Sequence, residues 1–103
     1  MTTTTLRSFV KDPDSTLPFS IDWTAWLADL TGETIDTAVW TVEYPTDPAP
    51  TLTIESSAVS GAVCTVILSD GEAGTDYVVQ CRITTTPGQY VDDRSLTIQA
   101  RDR

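Results

Sequence analysis

The sequence predicts an all-β fold, an immunoglobulin-like β-sandwich of about seven strands with one short helical turn. Apolar and polar residues alternate along most of the chain, as in strands that have one buried face. Turn signals rich in Gly, Pro, Asp and Ser separate these runs about every 8–12 residues, a spacing typical of sandwiches. The length of 103 residues suits one hydrophobic core. We therefore assign residues 1–5, MTTTT, to a flexible N-terminal leader and residues 6–103 to a single sandwich domain.

The first half of the chain predicts three strands and the helical turn. LRSFVK is an edge strand that ends in the turn Asp12-Pro13-Asp14, and PFSIDW alternates as a half-buried strand. TAWLADL has apolar residues at helical spacing, with Thr24 as its N-cap and Gly32 as its end. TIDTAVWTVEY is the third strand. Its alternation of apolar and polar residues is interrupted near Thr37-Ala38, where we expect a β-bulge.

The second half predicts four further strands. Residues 46–51, TDPAPT, contain two prolines and form a connecting loop. The strands are LTIESSAVS, AVCTVILSDG, DYVVQCRITTT and SLTIQAR. The last two pair as a hairpin across Pro87-Gly88, between strands Asp76–Thr85 and Tyr90–Ala100. Because L-Pro-Gly turns twist poorly for two-residue hairpins, we expect a longer loop with a bulge.

The core candidates are large residues at the apolar positions of these strands. Tyr77 opens the strand that contains Cys81, a position typical of a tyrosine corner, although the spacing is four residues rather than two. Cys64 and Cys81 lie in apolar runs, which favours two buried free thiols; a disulfide between them is the alternative. The core candidates are Trp23, Trp40, Cys64, Tyr77, Cys81 and Leu96.

Charge and composition exclude several functions. Fifteen acidic against six basic residues give a net charge of −9, which repels nucleic acid and anionic membranes. No stretch approaches the roughly 20 apolar residues of a membrane span, and no apolar signal run begins the chain, so we expect a soluble protein made in the cytoplasm.

The chain has no histidine, the commonest general base and metal ligand. Its paired carboxylates, Asp12/Asp14, Asp70/Glu72 and Asp92/Asp93, could act as acid and base but lie in predicted turns, where Asp bonds its own backbone. We expect no enzyme activity, cofactor or metal.

Charged residues cluster around the last hairpin. Arg82 faces Asp92-Asp93 across the predicted strands, which predicts a cross-strand ion pair. If the residues of this strand alternate without interruption, Arg94 points inward together with Leu96. Either a bulge near Asp92-Asp93 redirects these charged side chains, or the aliphatic stem of Arg94 is buried and its guanidinium meets carboxylates at the rim of the sandwich. The pair is either a solvated surface pair, worth a few tenths of a kcal/mol, or a set of fixed charges that addresses a partner protein.

Two tryptophans add a second candidate contact. Trp23 and Trp26 are three residues apart, so both are in the core or one is exposed as an interface anchor. The candidate partner-contact residues are Lys11, Asp12, Asp14, Trp26, Arg82, Asp92, Asp93 and Arg94.

Three segments carry a family resemblance. KDPDSTLPFSIDWTAWL, GETIDTAVWTV and AGTDYVVQCRITTTPGQYVDDRSLTIQARDR, in this order, resemble the small fiber-tail adaptor proteins of phages. The matching residues are Lys11, Asp12, Pro13, Ile21, Asp22, Trp23, Trp26, Leu27, Gly32, Thr34, Ile35, Trp40, Thr41, Val42, Cys81, Arg82, Ile83, Asp92, Asp93, Arg94 and Ser95. The closing hairpin is the most specific part. The chain departs from the family pattern in the longer loop YPTDPAPT and in GQYV.

The resemblance implies a non-enzymatic virion protein that joins tail fibers or neighbouring tail parts to the tail tube. Its partners would be other tail proteins, namely fiber, tail tube or nozzle and adaptor subunits. It would be present in several copies in the virion tail, after assembly in the host cytoplasm. The alternatives are a capsid decoration or carbohydrate-contacting surface domain, and a tail glycosidase that uses Asp92 and Asp93.

Overall fold

The computed structural model describes residues 4–43 and 51–102 as two packed β-sheets, which confirms the predicted fold class. Strands and helix follow one another as β1 (Thr4–Lys11), β2 (Leu17–Asp22), α1 (Thr24–Ala28), β3 (Thr34–Glu43), β4 (Leu52–Ser60), β5 (Val63–Asp70), β6 (Asp76–Thr86) and β7 (Val91–Ala100). In this described part of the chain, no helix has the length and apolar character needed to cross a membrane.

The seven strands divide into sheets of four and three. The larger sheet has the order β1-β7-β6-β3, and the smaller has the order β2-β5-β4. Neighbouring strands are antiparallel except β1 and β7, which are parallel. Consecutive strands β1 and β2 lie in different sheets, so the chain crosses between layers through the turn at Asp12-Pro13. This two-layer arrangement is immunoglobulin-like.

Alternate strand residues face between the sheets and form one core. The core contains Phe19, Ile21, Trp23, Trp40, Leu52, Cys64, Val66, Leu68, Tyr77, Val79, Cys81, Ile83, Leu96, Ile98 and Ala100, so all six predicted core residues are confirmed. Both cysteines are free thiols, as predicted. They belong to opposite sheets and interact with each other; the hydrogen bond to Cys64, together with burial, raises the pKa of Cys81 and keeps that thiol protonated.

The predicted tyrosine corner is confirmed. Tyr77 is fully buried at the start of β6, and its hydroxyl oxygen accepts a hydrogen bond of 2.8 Å from the backbone N–H of Glu72. This bond holds the loop between β5 and β6 against the sandwich. Gly71 enters the same loop with a positive φ of 102°, a conformation that glycine adopts without steric cost.

Two predictions at the start of the chain were wrong. β1 begins at Thr4, so Thr4 and Thr5, which we assigned to the flexible leader, pair with Arg94 and Ser95 of β7. The N-cap of α1 is Trp23 rather than Thr24, and the Thr24 hydroxyl donates a hydrogen bond of 2.5 Å to the Asp22 carboxylate instead of capping the helix. The predicted leader residues 1–3 lie outside the described residues.

The later local predictions had mixed outcomes. The bulge expected near Thr37-Ala38 lies between Ile35 and Thr37. The closing hairpin has the expected longer loop, residues 87–90, but no bulge, because its register runs unbroken from Asp76 to Thr84. Of the predicted loop 46–51, only Thr51 lies within the described residues.

Candidate interaction surface

The predicted contact residues lie in, or in the strands next to, two opposite ends of the sandwich. Because β1 runs parallel to β7 and Lys11 pairs with Ala100, Lys11 lies where β7 finishes. We call this the turn end; it comprises residues 12–16 and 71–75. The hairpin end, where β7 begins, comprises residues 23–33, residues 61–62 and the loop 87–90.

At the turn end, Lys11 is buried and has an internal role. Its side chain is 0% exposed, and Nζ donates hydrogen bonds to the carbonyl oxygens of Asp12 at 3.0 Å and Asp70 at 2.8 Å. Loss of hydration lowers the pKa of Lys11. The prediction that Lys11 is a surface contact is therefore wrong, because its ammonium joins β1 to the end of β5. Asp14 is exposed, and its N–H is held by the Asp12 carboxylate at 2.8 Å.

The predicted cross-strand ion pair is present between Arg82 and Asp93. These residues are direct partners in the β6–β7 register, with Nε–Oδ1 at 2.6 Å and Nη2–Oδ2 at 3.1 Å. The side chain of Arg82 is 58% exposed, whereas that of Asp93 is 6% exposed. The hydrogen bonds from Arg82 hold the pKa of Asp93 below its usual range. Arg82 is thus partly exposed at the surface, and the buried carboxylate of Asp93 holds its guanidinium in place.

Arg94 turns inward, as unbroken alternation requires. Its guanidinium carbon lies 4.4 Å from the ring centroid of Trp23, a cation–π contact, so an aromatic face takes the place of the carboxylates expected there. Trp23 is fully buried and meets Trp26 edge to face at 5.5 Å. Trp26 is half-buried and packs against the core. Asp92, also half-buried, accepts the N–H of Asp93 at 2.8 Å.

An apolar groove opens at the hairpin end. It has a volume of about 580 Å³ and is lined by Leu27, Glu33, Thr34, Ile35, Val59, Gly61 and Ala62. These residues come from α1 and the segment after it, from the start of β3, and from the end of β4 with the β4–β5 turn. Sequence reasoning missed the groove because no local pattern joins the three segments. The only signal was Val59, an apolar residue in an otherwise polar run, and it is 42% exposed.

Hydrogen bonds brace the loops around this groove. The carboxylate oxygen Oε1 of Glu33 accepts bonds of 2.8 Å from Thr85 Oγ1 and from the N–H of Gly88. A Cβ on Gly88 would lie 2.5 Å from the ring of Tyr90 and 2.6 Å from Glu33 Oε1, so a larger residue would displace these two side chains. Tyr90 is 52% exposed on this braced loop. The hairpin end therefore presents an exposed aromatic side chain, on a braced loop, together with an apolar groove.

The surface around the groove carries uncompensated negative charge. Asp22, Asp29 and Asp36 are exposed there. The four basic side chains that the structure describes are engaged within the domain: Lys11 with carbonyls, Arg82 with Asp93, Arg94 with Trp23, and Arg101 with Asp76. Moreover, residues 12–81 contain no lysine or arginine. The whole β2-β5-β4 sheet therefore lacks a basic residue.

The lowered pKa of Asp93 predicts a loss of stability in acid. Because its pKa in the folded chain is below the unfolded value of about 3.9, Asp93 stabilises the fold above that value, and the contribution is lost as pH falls through the folded pKa. Thermal unfolding between pH 6 and pH 2 measures this. Asp93→Asn should lower the melting temperature at pH 6 and flatten its decline in acid. Asp29→Asn, the same charge change at an exposed position, is the control; equal slopes in all three proteins would contradict the prediction.

A comparison with known protein families finds a match over most of the chain. The family model described as podophage GP4 fiber-tail adaptor protein gp77 matches residues 11–99. The match begins at the last residue of β1 and includes the closing hairpin with its Arg82–Asp93 pair. No curated protein matches the chain. Because the family model covers most of the sequence, the chain belongs to the podophage GP4 fiber-tail adaptor family and is a structural protein of a phage tail.

Proposed function

We propose that this protein is a rigid, non-enzymatic adaptor that joins tail fibers or neighbouring tail components to the tail tube. The hairpin end carries the proposal, because it combines an apolar groove of about 580 Å³ with the exposed Tyr90 on a braced loop. Aromatic side chains and apolar pockets are typical of the protein–protein contacts that dominate binding energy. A pre-ordered loop also loses little conformational entropy on assembly.

The carboxylates considered for catalysis hold structure instead. Asp93 binds Arg82, Asp92 accepts the N–H of Asp93, and Asp12 accepts the N–H of Asp14. Asp70 accepts a hydrogen bond of 2.6 Å from the Thr53 hydroxyl. Each role is local and structural, which supports an adaptor over a glycosidase.

Surface charge supports a partner other than a second copy. With a net charge of −9, two copies repel each other, and their described basic side chains are already engaged. Several copies in one tail would therefore be held by contacts with other tail proteins.

Particles made without the gene test the proposal. We expect filled heads whose tails lack fibers, and fiber attachment should return when the protein is supplied from a plasmid. Electron microscopy counts the fibers, and mass spectrometry of separated heads and tails locates the protein. Fibers attached as in the wild type would refute the adaptor function. Recovery of the protein with heads alone would favour the capsid decoration alternative.

A further inference from the structure

We propose that the groove at the hairpin end binds an extended segment of a neighbouring tail protein, in which an apolar side chain is flanked by lysine or arginine. The inference rests on the adaptor function proposed above and specifies its contact. The proposal depends on three properties of the groove: its apolar lining, the unpaired edge of the neighbouring strand β4, and the acidic surface around it.

The lining fits an apolar side chain. Leu27, Ile35 and Val59 face a space of about 580 Å³, which lies within the range of roughly 300–1,000 Å³ that binding pockets occupy in proteins. Val59 is 42% exposed, so an inserted side chain would cover surface that is now open to water. A single apolar side chain would occupy only part of this space, which leaves room for the flanking residues of the same segment.

In the part of the chain that the structure describes, the strand that carries Val59 has no paired strand on one side. β4 is the outermost strand of its sheet, and residues Ser56–Ser60 are all exposed. Proteins usually protect such edges with charged residues or proline. β4 has one charged residue, Glu55, whose carboxylate accepts a hydrogen bond of 2.6 Å from the Ser69 hydroxyl, and Ser56–Ser60 contain neither a charge nor proline. An extended segment can therefore pair with the backbone of β4 while one of its side chains enters the groove, as in β-strand addition.

The negative charge around the groove indicates which residues the bound segment contains. Asp29 and Asp36 are exposed on the α1–β3 side of the groove, and Glu33 lines it. No lysine or arginine occurs between residues 12 and 81, so nothing in β4 or β5 neutralises these carboxylates. A segment with lysine or arginine next to its apolar residue complements this charge, whereas a second copy of this acidic chain does not.

Charge reversal separates the two ends of the sandwich. We compare Asp29→Lys with Asp36→Lys in one double variant and Asp14→Lys with Asp102→Lys in the other; all four residues are exposed, and each double variant changes the net charge equally. The first should reduce the protein bound to purified tails by about tenfold or more, and the second should leave it near the wild-type amount. Quantitative mass spectrometry of tails measures this, and circular dichroism confirms folding.

The other outcomes are distinct. Equal retention of both variants, equal loss of both, or selective loss of the Asp14/Asp102 variant would overturn the groove proposal. Absence of the wild-type protein from tails would instead overturn the adaptor function itself.

A photo-crosslinking amino acid in place of Val59 tests the occupant directly in assembled tails. The control position is Leu17, which is 37% exposed on β2, at the other edge of the same sheet. We expect the Val59 position to crosslink to a different tail protein, at a segment with an apolar residue next to lysine or arginine. A crosslink to another copy of this chain, to an acidic segment, or to nothing would overturn the proposal.

Discussion

Replacing Trp23 with alanine should lower the free energy of unfolding by about 3–5 kcal/mol, the usual cost of removing a large aromatic side chain from a core. Trp23 is 0% exposed, supports the guanidinium of Arg94 at 4.4 Å and meets Trp26 edge to face. Alanine would leave a cavity under α1 and remove both contacts. Such a loss is a large fraction of the roughly 5–15 kcal/mol that stabilise a typical domain. Urea unfolding followed by far-UV circular dichroism measures it.

Two further variants, each expected to lose less stability, test whether the buried ring of Trp23 is responsible for the loss. Trp23→Phe keeps an aromatic ring beneath Arg94 and should cost less than Trp23→Ala. Trp26→Ala truncates a half-buried indole and should also cost less. If Trp23→Ala unfolds at the wild-type urea concentration, or if Trp26→Ala is the more damaging change, Trp23 does not have the central packing role that its burial indicates.

The fold could be predicted because its strands have one buried face. In β6, Tyr77, Val79, Cys81 and Ile83 alternate with more exposed residues, and this period of two is visible in the sequence. The Arg82–Asp93 pair was also predictable, since a hairpin fixes which residues face each other over a short chain separation. Local pattern and local register together specify this half of the domain.

Features made by distant segments could not be predicted. Lysine is almost never fully buried, so nothing local suggested that Lys11 would turn its ammonium to a carbonyl 59 residues away. Glu33 binds the N–H of Gly88 from 55 residues away, and the groove beside it needs three segments. The pairing of Thr4 and Thr5 with β7 uses backbone atoms, which leave no apolar pattern in the sequence.

The structure also divides the predicted contact residues between two surfaces. Asp14 is at the turn end, whereas Trp26 and Arg82 lie toward the hairpin end. An adaptor has to contact at least two neighbours, and the charge-reversal comparison above tests whether the hairpin end, rather than the turn end, holds the protein in the tail. The acidic hairpin end is the better candidate for one of these contacts, because it has the apolar groove as well.

Replacing Asp93 with lysine should destabilise the fold by about 2 kcal/mol. Breaking a buried ion pair costs about 3–5 kcal/mol, but Arg82 is 58% exposed and regains hydration, so we expect the lower figure. The new ammonium would also lie directly across the strands from Arg82, and opposed like charges destabilise a sheet. For a domain of this size the melting temperature should fall by about 8–16 °C. Calorimetry at neutral pH measures the fall.

A charge swap shows whether the loss comes from this pair. Combining Arg82→Glu with Asp93→Lys restores opposite charges at the same two positions, so the double variant should recover at least part of the stability lost by Asp93→Lys. It should not recover all of it, because lysine lacks the two-pronged geometry with which Arg82 now binds Asp93. If Asp93→Lys instead melts within a few degrees of the wild type and is missing from tails, Asp93 is a partner contact. The carboxylate of Asp93 would then act by contacting a partner protein rather than by stabilising the fold, despite the 6% exposure of the Asp93 side chain.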